Sequence, residues 1–151
     1  MTAIELRPAT PADSEFCFRL HKAAMGGYIA AIWGWDEQRQ RGFQDRSFNP
    51  DRWQIIIADG ADVGMIDVER RPTEIYLSRI EILPDYQGRG IGTRLVRYVE
   101  AEVKRSTRDT EIHVHATRNA ETFYAANGYE RLPVSASASP LFITMRTQLC
   151  R

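Results

Sequence analysis

The sequence predicts an α/β fold, and three observations carry that prediction. Segments with the period-2 alternation of strands recur between segments with helical periodicity. In chain order they read β-α-α-β-β-β-α-β-α-β-β. A glycine-rich run, Gln87-Gly88-Arg89-Gly90-Ile91-Gly92, joins an apolar strand to an amphipathic helix.

Residues 3–8 alternate Ile4 and Leu6 with Glu5 and Arg7, a strand that ends at Pro8. Thr10 caps a helix opened by Pro11-Ala12-Asp13, with Phe16, Leu20 and Ala23/Ala24 on one face. Gly26-Gly27 is expected to stop it, and a second, aromatic helical region runs from Tyr28 to about Gln44. Trp53 to Ala58 reads as a buried strand, turned by Asp59-Gly60 into a second strand over Val63 to Val68. Pro72-Thr73 turns into a strand over 75–83, and the helix after the glycine run covers 90–105, with Ile91, Leu95, Val99 and Val103 in register. Then come a strand from Glu111 to Ala116, a helix from Asn119 to Asn127 closed by Gly128, and strands over Tyr129–Val134 and Leu141–Thr147. The run Ser135–Ser139 between the last two is a short small-residue loop. With 151 residues and no linker-like segment, residues 1–151 are expected to form one domain.

The glycine run has a chemical meaning. A helix N-terminus presents backbone N–H groups without intrahelical acceptors, at the positive end of the helix dipole. Glycines before it let a phosphate or pyrophosphate approach the backbone. No Lys-Ser/Thr pair follows Gly92, which excludes a P-loop, and glycines at 88, 90 and 92 do not fit the Gly-x-Gly-x-x-Gly dinucleotide fingerprint.

The run does resemble the acetyl-CoA pyrophosphate loop of the GNAT N-acetyltransferase superfamily, Gln/Arg-x-x-Gly-x-Gly/Ala, with Gln87, Gly90 and Gly92 in its fixed positions. The lead-in Ile80-Glu81-Ile82-Leu83-Pro84-Asp85-Tyr86 resembles that family's strand and turn. Ala120, Phe123-Tyr124 and Gly128-Tyr129 resemble its Ala-x-x-Phe/Leu-Tyr-x-x-x-Gly-Phe/Tyr segment. The resemblance is specific over 75–130 and general before that. It implies a GNAT-like fold: a mixed, twisted sheet with helices on both faces and splayed central strands, the pantetheine arm lying in the gap. It also implies acetyl-CoA as co-substrate, held at Ile82, Leu83, Gln87, Gly88, Arg89, Gly90, Ile91, Gly92, Thr93, Asn119 and Tyr124. The family places an asparagine six or seven residues before the tyrosine. Here those positions are Arg118 and Thr117, so Asn119, five before it, is either a displaced ligand or only a helix cap.

Acetyl transfer to an amine requires a base for the ammonium proton, a donor for the oxyanion and an acid for the departing thiolate. Glu81, between Ile80 and Ile82, is the first candidate base, directly or through water; otherwise it is a carboxylate paired with Arg79. His113 competes, since alternation puts it with His115 on one face of its strand, and some relatives use a histidine there. These two histidines lack a nearby third ligand, so no metal is expected. By resemblance Tyr124 reaches the CoA sulfur as the acid, against the reading that it merely packs beside Phe123. The acceptor side falls to Tyr28, Trp33, Trp35, Asp36 and Glu37, aromatics beside acids that suit a cationic amine, together with His113.

Composition limits the alternatives. Lys plus Arg and Asp plus Glu are both 20, so no net field favours nucleic acid or a membrane surface. Basic residues such as Arg39, Arg41, Lys104, Arg105 and Arg108 are scattered rather than gathered on one face. No apolar run approaches the roughly 20 residues of a membrane span, and there is no signal-peptide pattern. Cys17 and Cys150 are read as thiols, with Cys17 buried, and the expected compartment is the cytoplasm. The sequence therefore reads as an N-acetyltransferase moving acetyl from acetyl-CoA to a primary amine, a small molecule or a peptide N-terminus, in a direct ternary complex. The alternative is a non-catalytic acyl-CoA-sensing module of the same fold, which would need neither Glu81 nor Tyr124. A homodimer through the late strands is common among relatives.

Overall fold

The computed structural model describes residues 3–72, 74–105, 111–132 and 142–148. Its strands are β1 (Ile4–Pro8), β2 (Trp53–Ala58), β3 (Ala61–Arg70), β4 (Ile75–Ile82), β5 (Glu111–Thr117), β6 (Glu130–Arg131) and β7 (Phe142–Gln148). Its helices are α1 (Ser14–Trp33), α2 (Glu37–Ser47), α3 (Ile91–Arg105) and α4 (Glu121–Ala126), with 3-10 turns at Pro11–Asp13, Pro84–Tyr86 and Arg118–Ala120. The strands make one mixed sheet in the order β1-β2-β3-β4-β5-β7-β6, the α/β architecture that the element order predicts. β4 and β5 run parallel, and their pairing covers only Ile75–Leu77 against Ile112–Val114 among the described residues.

The chain divides into two compact units, Met1–Asp67 with Ile80–Arg89, and Val68–Arg79 with Gly90–Arg151. In the first, β1 and β2 are antiparallel, with Ile4 opposite Ala58 and Pro8 opposite Gln54. β2 and β3 are joined by Asp59 and Gly60, at φ 50° and 84°. Positive φ at both central residues is the geometry that matches the twist of a two-residue hairpin. Trp53, Ile55 and Met65 from this meander pack with Ala9, Cys17 and Leu20, and Phe16, Phe48 and Leu83 close the cluster. Cys17 is buried, as its place in an apolar helical pattern predicts.

Helix α1 departs from expectation. It runs unbroken through Gly26-Gly27 and ends at Gly34, whose φ of 78° suits a chain leaving a helix. Two interior glycines cost roughly 1 kcal/mol each against alanine. Met25 and Ile29 are buried on either side of them, and such burial, roughly 1.5–3 kcal/mol per large side chain, outweighs that cost. Tyr28 and Trp33 therefore belong to α1, and the second helix starts only at Glu37, where the Asp36 carboxylate accepts from the Arg39 N–H. Ahead of α1, Asp13 accepts from the Thr10 N–H (2.8 Å) and Thr10 hydroxyl (3.2 Å), closing the expected N-terminal turn. Arg7 grips the same carboxylate with two bonds of 2.9 and 2.8 Å and also reaches Asp62.

In the second unit, α3 buries Ile91, Leu95, Val96, Val99 and Val103. β5 alternates as expected, burying Ile112, Val114 and Ala116 and leaving His113 and His115 half-buried on the other face. The helix expected over 119–127 begins later. Arg118–Ala120 forms a 3-10 turn and α4 starts at Glu121, which puts Asn119 inside the turn rather than at the helix cap. Gly128, at φ 94°, follows the helix as its composition suggests. β6 is two residues long, shorter than the strand expected from Tyr129, while Val134 and the Ser135–Ser139 loop lie outside the described residues.

Candidate active site

Gly88 and Gly90 both hold positive φ, 75° and 82°, a backbone that residues with a side chain rarely adopt. The Arg94 N–H makes the first i→i−4 bond, to the Gly90 carbonyl, so the N–H groups just before it have no intrahelical acceptor. Gly88 to Gly90 and Thr93 are exposed, Gly92 is half-buried, and Ile91 is buried as the first apolar anchor of α3. A methyl group on Gly92 would meet the Phe123 ring at 3.3 Å, so glycine there lets α3 begin close against α4. The Arg89 guanidinium lies 5.0 Å over the Tyr86 ring. Exposed backbone N–H groups at a helix N-terminus, reached through a glycine turn, are a donor set that could hold a pyrophosphate.

At the end of β4, the Gln87 side chain donates to the Ile82 carbonyl at 2.8 Å, and the Leu83 N–H donates to Val63. Gln87 thereby ties the loop to the strand that precedes it. Gly64 on β3 is pressed against the same strand end. A Cβ there would stand 2.3 Å from the Glu81 carbonyl oxygen, which is not a tolerable contact.

Glu81 is buried, and its Oε2 lies 2.7 Å from Nδ1 of His21 on α1. The carboxylate thus finds a partner on a helix, far from its own strand in sequence. The His21 ring lies 6.4 Å from that of Trp35, which also faces Phe18 at 6.2 Å. Trp35 Nε1 donates to Glu37 (2.9 Å), as does Lys22 Nζ (2.8 Å), and the lysine sits over the indole ring. Lys22 first, and the indole second, hold the Glu37 carboxyl below its usual range. Of the proposed acceptor-side residues, Trp35 and Glu37 thus share one cluster with His21 and Glu81. Tyr28 and Trp33 are exposed on α1, the latter at 58%.

In the second unit, Tyr124 is buried between Phe123 and Tyr129, with ring centroids 5.0 and 5.7 Å away. Burial holds its phenol well above the ordinary tyrosine value, so it stays neutral. No group among the described residues takes its hydroxyl. His113 Nε2 stands 3.7 Å from a Glu111 carboxylate oxygen. His115 is stacked on Phe142 at 4.4 Å, and burial keeps it from protonating readily. The Asn119 side chain lies outside the described residues. No group of three or more His, Cys, Asp or Glu side chains among the described residues is placed to hold a metal.

Sequence reasoning missed His21, Gly64 and Lys22. A signal existed for the first, since His21 follows Cys17 by one helical turn and so sits next to the buried face, where an imidazole needs a partner.

Similarity to known proteins agrees with this geometry. A PaiA N-acetyltransferase from Thermoplasma acidophilum, in complex with coenzyme A, superposes with a TM-score of 0.75 at 18% identity, over 97% of this chain and 99% of that one. An acetyltransferase from Thermus thermophilus gives 0.74 at 18% identity, over 97% of each. At these identities the likeness is one of fold. No curated protein matches by sequence. Residues 36–148 match the acetyltransferase (GNAT) domain, three quarters of the chain including the glycine cradle, β4 and Tyr124. The chain belongs to the GNAT acetyltransferase family.

Proposed function

We propose that residues 1–151 act as one N-acetyltransferase domain that moves acetyl from acetyl-CoA to a primary amine within a ternary complex. The observation that supports this most is the Gly88–Gly90–Gly92 cradle, which leads into α3 with positive φ at its first two glycines. Acetyl-CoA supplies a thioester carbonyl open to an amine and a thiolate able to leave. The N–H groups from Gly88 to Thr93 and the Arg89 guanidinium suit its pyrophosphate. Ile82 and Leu83 offer backbone to the pantetheine arm, with Gln87 orienting the Ile82 carbonyl. Asn119 is a further candidate ligand by resemblance.

Tyr124, neutral and with an unclaimed hydroxyl among the described residues, donates to the sulfur as it leaves. Glu81 supplies the base for the acceptor's proton, directly or through a group it holds. Trp35 and Glu37, with Tyr28, Trp33 and His113, offer aromatic and polar surface to an amine. A direct attack needs no enzyme nucleophile, and Cys17 is buried away from such a role.

Thermal shift with acetyl-CoA, CoA and ATP tests the reading on wild type, Gly90→Glu and Arg89→Glu, the last placing no strain on a glycine backbone. A ligand that binds only the folded state raises its melting point by mass action. The expected result is stabilisation by both CoA species and not by ATP, weakened in variants whose circular dichroism is unchanged. No shift of the wild type with either CoA species at millimolar concentration would overturn it.

A further inference from the structure

We propose that the base in this protein is a His21–Glu81 pair, with His21 Nε2 as the atom that takes the acceptor's proton. The inference rests on the acetyl-transfer reading and deepens it. Its ground is a contact 60 residues apart in sequence. Glu81 Oε2 and His21 Nδ1 lie 2.7 Å apart, a distance typical of a charge-assisted bond. The carboxylate is the more enclosed partner, its side chain 7% exposed against 14% for the imidazole. No other group among the described residues hydrogen-bonds the His21 ring.

An ionised carboxylate against Nδ1 fixes the neutral ring as the Nδ1–H tautomer and leaves the Nε2 lone pair open. A carboxylate holding an imidazole in this way also stabilises the imidazolium that forms, as in acyl-transfer triads. The surroundings are set for such a pair. Trp35 lies beside the imidazole, while the charges around it pair off, Lys22 with Glu37 and Arg41 with Glu15. In the step, the acceptor's ammonium N–H bond breaks and the proton passes to Nε2. The freed electron pair forms the N–C bond as the C–S bond breaks, and the second proton that nitrogen loses as the amide forms balances the one taken up by the departing thiolate. The imidazolium, bound through Nδ1–H to Glu81, returns its proton to water after product leaves.

The chain has three histidines, which makes nitrogen-15 NMR of labelled imidazoles decisive, with His21→Gln identifying the His21 signals. The expected wild-type ring loses its proton from Nε2 on titration and keeps it on Nδ1, a preference absent in Glu81→Gln. A neutral ring protonated on Nε2, or a ring that stays doubly protonated until the protein unfolds, would overturn the proposal and leave a structural ion pair. In parallel, thiol release from acetyl-CoA is followed with spermidine, 2-phenylethylamine, L-lysine and glycylglycine. With the amine that wild type uses, His21→Gln should lower kcat by roughly a hundredfold or more. CoA-induced stabilisation should be unchanged, and added imidazole should restore part of the rate to His21→Ala. An unchanged kcat overturns the pair as base. If wild type is stabilised by CoA yet acetylates none of the probes, the proton step falls with the transfer reading, whatever the tautomer.

Discussion

Gly64 has no room for a side chain because the Glu81 carbonyl oxygen lies 2.3 Å from where its Cβ would stand. One glycine on β3 thus sets how closely the strand carrying the candidate base can sit, with Ile56 Cδ1 at 3.1 Å and Ile82 Cα at 3.3 Å completing the fit. Backbone atoms cannot yield as a flexible side chain does. Gly64→Ala should destabilise the protein by about 1–3 kcal/mol, the usual cost of overpacking, and weaken CoA-induced stabilisation. Urea unfolding and thermal shift check both, and a variant as stable as wild type would show that the strand end can move freely.

Tyr124→Phe removes one hydroxyl from a buried ring that keeps its contacts with Phe123 and Tyr129. The melting temperature should stay close to wild type while kcat falls about a hundredfold, with the KM for acetyl-CoA little changed. Steady-state kinetics on a competent amine checks this. Equal kcat in the two proteins would leave Tyr124 as packing alone.

Asp13 carries a pH signature. The two-pronged Arg7 contact, and then the Thr10 N–H, lower its pKa from 3.8 to about 2. Between those values the unfolded chain binds more protons than the folded one, so stability rises with pH there. The contribution is complete above the unfolded value and is lost as pH falls toward 2, amounting to about 2 kcal/mol. Urea unfolding of wild type and Asp13→Asn should give curves that differ most near pH 5 and draw together as pH falls through about 2. Parallel curves across that range would contradict the assignment.

Glu100 on α3 is buried, accepting from the Tyr129 hydroxyl at 3.1 Å and from Arg97 at 2.6 Å. Burial and this carboxylate push the Tyr129 phenol well above its ordinary value. Tyr129→Phe leaves the carboxylate short of one donor and should cost about 1–3 kcal/mol. A double-mutant cycle with Glu100→Gln should show coupling of at least about 0.5 kcal/mol, as residues sharing a hydrogen bond do. Additive losses would mean that the bond adds nothing to folding.

The parts of this fold legible in sequence are those fixed locally. Alternation in Glu111–Thr117, the Asp59-Gly60 turn and the apolar stripe of Ile91–Val103 each follow from residue spacing, and each agrees with the structure to within a residue or two. The helix through Gly26-Gly27 is not legible in the same way, because local propensity argues against it and burial of Met25 and Ile29 decides it. The same division runs through the site. The glycine cradle is a contiguous string with a chemical reading of its own, whereas His21 and Gly64 acquire meaning only from Glu81, which lies 60 and 17 residues further on.

Because α1 is one rod about 30 Å long, its two halves are geared together. A single residue inserted or deleted at Gly26-Gly27 would turn Tyr28, Ile32 and Trp33 by about 100° and leave His21 where it is. It would also turn the buried Ile29 and carry Trp35 away from His21, so the core and the His21 cluster together lock the angle between the two ends of the rod.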